Sequence, residues 1–112
     1  MNETLPLDDL VAPLRAMRLL VTDFGHLPAP TVRVSPIFPD RLELSFHSGL
    51  CDFEAWRAAL CLAPEGVTCH VQSDGRTRVL RMVAAYAGAE LELVGYGDVT
   101  TPAPVLVEAG AA

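Results

Sequence analysis

The sequence contains no lysine, a single isoleucine and a single asparagine. All eight of its bases are arginine, and they face 14 acids for a formal net charge of −6. The dense basic face that duplex DNA or RNA binding needs to displace counterions is therefore missing. So is the cationic patch that holds a protein to an anionic membrane. No apolar run approaches the ~18–20 residues needed to cross a bilayer. The opening MNETLPLDDL carries acids where a secretory signal carries bases, which predicts a chain that is not exported. Cysteine is scarce and odd in number: Cys51, Cys61 and Cys69. An odd set without a signal peptide predicts a cytoplasmic protein whose reduced thiols are buried as small hydrophobes.

What is present is apolar. Hydrophobic types make up 51% of the 112 residues and charged types 20%, a balance that excludes intrinsic disorder. The length fits one domain, expected over residues 1–100 with a flexible tail at 101–112. With 15 alanines and 16 leucines, the composition carries the bias of a GC-rich genome.

Periodicity predicts the elements. Leu10, Leu14, Met17, Val21 and Phe24 recur at helical spacing. The helix is expected from near Asp9, with Pro13 tolerated in its first turn and Gly25 ending it in a left-handed conformation. Four prolines (Pro28, Pro30, Pro36 and Pro39) then frame an edge strand, Thr31 to Ser35, with Val32 and Val34 inward. Ser35 to Asp40 reads as a turn whose Ile37 and Phe38 are expected to fold under a helix end, the alternative being an exposed tip for a partner. Leu42, Leu44 and Phe46 mark a half-buried strand. A second helix, Leu50 to Leu62, buries Leu50, Phe53, Trp56 and Leu60. The link from Phe46 through it to Val67 is a candidate right-handed crossover.

The last half is a three-stranded meander. A two-residue turn at Asp74-Gly75 sets Cys69 opposite Leu80 and Val67 opposite Met82. A second at Ala87-Gly88 sets Met82 opposite Leu93 and Ala84 opposite Leu91. Both turns put apolar against apolar, so the register is self-consistent. The order α-β-β-α-β-β-β predicts an α+β two-layer sandwich: a mostly antiparallel five-stranded sheet with two helices on one face.

Function is then expected on the opposite face. There Val79, Val83, Val94 and Tyr96 cluster beside Arg81 and His70 as an open, partly apolar contact surface, most simply a back-to-back homodimer. Glu90 and Glu92 share that face and read as an exposed charge ladder. Cys51, in the first turn of the second helix, is a candidate nucleophile with His47 or His70, although Asp52 and Glu54 oppose its thiolate. The cysteines and histidines lack the close ligand pair of a structural zinc site. Cys69 and His70, consecutive on a strand, point to opposite faces. No metal and no cofactor is expected.

The stretch Gly25 to Leu60, GHLPAPTVRVSPIFPDRLELSFHSGLCDFEAWRAAL, together with DGRTR at Asp74 to Arg78, resembles small uncharacterised actinobacterial proteins that accompany plasmid- or phage-like elements. The resemblance implies a cytoplasmic protein of a high-GC bacterium and implies no activity. The expected function is a non-enzymatic protein-binding or regulatory module acting through its outer sheet face as a homodimer. A thiol-dependent enzyme using Cys51, and an acidic nucleic-acid mimic, are the alternatives.

Overall fold

Two helices and five strands follow one another as α-β-β-α-β-β-β in the computed structural model, which describes residues 4–99. The expected tail at 101–112 lies outside the described residues. A 3-10 turn, Leu7–Leu10, runs directly into α1, Val11–Phe24. The strands are β1 (Thr31–Ser35), β2 (Phe38–Phe46), β3 (Thr68–Val71), β4 (Thr77–Tyr86) and β5 (Ala89–Asp98), and α2 spans Leu50–Ala59. Pro13 falls in the first turn of α1, where a missing N–H breaks no helical bond. Gly25 leaves the helix with φ −60°, in the right-handed region and not the left-handed one expected of it.

The five strands form one sheet in the order β1-β2-β5-β4-β3. Every neighbouring pair is antiparallel except β2 and β5, which run parallel. β3 therefore points the same way as β2, but two strands lie between them, so α2 links the second strand to the far edge. The meander register is the expected one. Cys69 pairs with Leu80, Met82 with Leu93, Ala84 with Leu91 and Tyr86 with Ala89.

The two turns differ in kind. At Ala87-Gly88 both residues have positive φ, 52° and 83°, as a two-residue hairpin matched to strand twist requires. Alanine sits in that left-handed region at a steric cost a glycine would not carry. The first turn is wider than expected. Gln72 N–H donates to the Thr77 carbonyl at 2.8 Å, and only Gly75 has positive φ (70°).

Asp74 does other work in that turn. Its carboxylate accepts the N–H of Arg76 at 2.8 Å, that of Thr77 at 3.1 Å and the Thr77 hydroxyl at 3.2 Å. The Arg76 N–H foremost holds the Asp74 carboxyl below its usual range. A depressed folded pKa stabilises the turn above the unfolded value of about 3.9 and ceases to do so as pH falls through the folded value. The Arg76 and Thr77 amide resonances are expected to titrate together with a midpoint below about 3.9. A midpoint at or above the ordinary aspartate value contradicts the wrap.

Both helices pack on one face. Ala16 and Leu20 of α1, and Leu50, Phe53 and Trp56 of α2, close over Leu42, Leu44 and Phe46 of β2, Leu80 and Met82 of β4, and Leu91 and Leu93 of β5. Phe46 meets the Phe53 ring edge-on at 6.5 Å and the Trp56 ring at 6.0 Å, arrangements that aromatic quadrupoles favour. The Trp56 indole donates to the Pro28 carbonyl at 2.8 Å, which ties α2 to the proline-rich loop.

Several expected core positions lie elsewhere. The face that α1 buries is Pro13, Ala16 and Leu20, whereas Leu14 and Val21 of the expected stripe are exposed. All three cysteines are free and exposed. Cys69 is on edge strand β3, which neither helix reaches in substance. Cys61 occupies the left-handed position after α2, at φ 57°. There Cys61 N–H donates to the Ala58 carbonyl and Leu62 N–H to the Arg57 carbonyl, the pattern that terminates a helix. This is why α2 ends at Ala59 and not at the expected Leu62. Val32 is likewise half in solvent at the other edge.

Candidate functional site

The outer face of the sheet carries an ordered charge ladder. The parallel pairing sets Arg41 beside Glu90 and Glu43 beside Glu92. Arg41 Nε donates to Glu90 Oε1 at 2.6 Å, and its Nη1 lies 3.9 Å from Glu92 Oε1. Arg81 approaches Glu92 from β4 at 3.3 Å. Glu92 is buried between the two guanidiniums, so the ladder is not the fully exposed one expected. The Glu90 hydrogen bond foremost raises the Arg41 pKa, which keeps that guanidinium charged.

This ladder ends under the β1–β2 turn. Phe38 opens β2, and the Arg41 guanidinium lies 4.5 Å from its ring centroid. Ile37 and Phe38 do not fold beneath a helix. They are 78% and 54% exposed. Only Pro36 and Ile37 separate the two strands, and Ser35 pairs with Phe38, so the turn is too short to bend back over the core. Ser35 Oγ accepts the Ile37 N–H at 3.1 Å and holds the tip in shape. Arg33, Ser35, Ile37, Phe38, Arg41 and Glu43 enclose a cleft of about 150 Å³ there.

The opposite end of β5 is polar. The His47 and Tyr96 rings stack at 4.7 Å, and His47 Nε2 is 3.2 Å from Ser45 Oγ. Arg76, Thr77 and Asp98 complete a wide, shallow hollow around them.

The residues expected to form the open contact patch divide. Val79 and Val94 are buried, at 2% and 1% exposure, and stand apart from the helix-side core. Val83 is half exposed, Arg81 and His70 are exposed and Tyr96 is half-buried. His70 pairs with Val79, and Val79 with Tyr96, so these three do share one face. They do not form the continuous open apolar surface expected of them, because its two central valines are already out of water.

The structure separates Cys51 from His70. Cys51 belongs to α2, which packs on the inner face, whereas His70 sits on the outer one and His47 is engaged by Ser45 and Tyr96. Among the described residues, no three His, Cys, Asp or Glu side chains converge as a metal site would require.

Sequence reasoning missed Arg41. Its role depends on β5 lying beside β2, which no local pattern encodes. The PIFP signal is legible in the sequence, but two large apolar residues in a turn read there as core. Compared with known proteins, the chain matches no family model, no curated protein and no solved structure.

Proposed function

We propose that the protein is a non-enzymatic binding module that engages a protein partner through the outer face of its sheet, anchored at the β1–β2 tip, and that it works as a homodimer. One observation carries this reading: Phe38 is more than half exposed, yet it is held under a guanidinium that is itself fixed by a carboxylate. An aromatic ring and an arginine ordered before binding lose little side-chain entropy on contact, and these two residue types are enriched where binding energy concentrates. Ile37 beside it supplies further apolar area, and Arg33 and Glu43 supply a charged rim. The same reading places the protein in the cytoplasm of a high-GC bacterium, as an accessory factor of a plasmid- or phage-like element, in line with the resemblance of its central stretch.

The test is crosslinking in the native host with the wild type and with Ile37→Asp and Phe38→Ala. Both side chains stand largely in water, so stability is expected to change by less than about 0.5 kcal/mol. A partner captured by the wild type is expected to be lost, or its affinity reduced at least tenfold, in each variant. Equal capture by all three proteins would remove the tip from the interface.

A further inference from the structure

Helix α1 buries Pro13, Ala16 and Leu20 against the sheet. Its opposite side is not the polar face of an ordinary surface helix. Leu7, Val11, Leu14 and Val21 are all exposed there, with Leu14 at 44% and Val21 at 59%. Together with Arg18 they fall at steps of four, three, four and three, the spacing of a coiled-coil seam. A stripe of this period presents a straight row of side chains that a second helix can cover along its length. The 3-10 turn abuts α1, and Leu7 lies beside Val11, Leu14 and Arg18 along one shallow groove.

The charges beside the row select the occupant. Asp8 and Asp9 lie at its start and Arg18 lies within it near the far end. None of the three takes part in an ion pair among the described residues. Two copies of α1 laid antiparallel about a two-fold axis at Leu14 place Leu7 of each copy against Val21 of the other. Arg18 then comes level with Leu10 of its partner, within reach of the partner's Asp8 and Asp9. The symmetry makes this contact twice. A parallel pair would instead set Arg18 against Arg18 and the acids against acids, which is repulsive. A single charged residue in an otherwise apolar seam fixes register in just this manner.

From this we infer that the exposed face of α1 is a self-association surface, and that the homodimer forms by antiparallel α1–α1 packing with Arg18 of each copy bound to the acids at the start of the other. The inference rests on the homodimer of the preceding reading and is separable from its tip. It leaves both tips and both outer sheet faces free, which makes the module bivalent.

Sedimentation equilibrium across a concentration series tests it. The wild type is expected to dimerise. Leu14→Glu sets two carboxylates side by side on the axis and is expected to weaken the dimer at least about a hundredfold, with the circular dichroism spectrum unchanged. Arg18→Glu is expected to weaken it, and Asp8→Arg with Asp9→Arg in the same chain to restore it. Val83→Glu, on the outer sheet face, is expected to leave the dimer intact. A wild type that stays monomeric, a Leu14→Glu protein as dimeric as the wild type, or dissociation by Val83→Glu alone would each overturn the inference. Loss of partner capture by Ile37→Asp in a protein that is still dimeric would show the two surfaces to be independent.

Discussion

Glu54→Ala is expected to destabilise the protein by about 3–5 kcal/mol, the loss typical of breaking a buried ion pair from one side. Arg57 is fully buried on α2. Its Nε donates to Glu54 Oε1 at 2.8 Å and its Nη2 to Glu54 Oε2 at 2.6 Å, so the two planar groups meet edge to edge as a two-pronged fork. Its third arm, Nη1, donates to the Leu62 carbonyl just beyond the left-handed end of the helix. The Glu54 hydrogen bond foremost raises the Arg57 pKa, and even without it arginine is too basic to shed its proton, so removing the carboxylate leaves a charged guanidinium in a site shut from water. The apolar pair Glu54→Leu with Arg57→Met replaces that charge by hydrocarbon of similar bulk. It is expected to recover most of the loss, because it removes the desolvation cost together with the attraction. Urea unfolding of the single and double variants measures both. A loss under about 1 kcal/mol in Glu54→Ala would mean that the pair is solvated like a surface bridge.

Gly97→Ala is expected to cost about 1–3 kcal/mol, through crowding and not through backbone conformation. A Cβ on Gly97 would stand 2.6 Å from Leu50 Cγ, and one on Gly95 would stand 2.8 Å from Phe53 Cβ. Leu50 and Phe53 are one turn apart on α2, and Gly95 and Gly97 are two apart on β5. The two periods bring each bulky residue onto a bare patch of strand, so α2 rests almost on the sheet backbone. Shortening the other partner isolates the cause. Leu50→Ala alone is expected to cost about 2–5 kcal/mol. Combined with Gly97→Ala it should cost clearly less than the two single losses added, because the new methyl enters space that the leucine vacated. Strict additivity in thermal or denaturant unfolding would assign the glycine some other role.

The meander was legible because two turn signals, Asp74-Gly75 and Ala87-Gly88, fix a register by counting, and the pairings agree with that count. The layering was legible because apolar residues on five strands and two helices have one economical way to meet. The neighbour relation of β2 and β5 was not. Alternation shows which way a side chain faces and not which strand lies beside it, so the Arg41 ladder and the His47–Tyr96 stack were out of reach. On α1 the stripe of Leu10, Leu14, Met17, Val21 and Phe24 mixed two faces, because apolar residues lie on both sides of that helix. The Glu54–Arg57 pair was hidden for a different reason. At the sequence level, i and i+3 charges on a helix read as surface residues, and only the left-handed turn at Cys61 brings the Leu62 carbonyl back over them. The two apolar residues at the centre of the expected contact surface, Val79 and Val94, are buried, which alternation along a strand does not reveal.

The placement of β5 governs when the molecule can exist at all. Among the described residues it is the last strand to be synthesised, yet it fills the middle of the sheet between β2 and β4. While residues 89–98 are still within the ribosome, the emerged chain holds two hairpins that share no backbone pairing, each with an unsatisfied edge. Those edges are the ones β5 must occupy. The sheet therefore cannot close before residues 89–98 have emerged, and until then the nascent chain offers the exposed edges on which chaperones and aggregation both act.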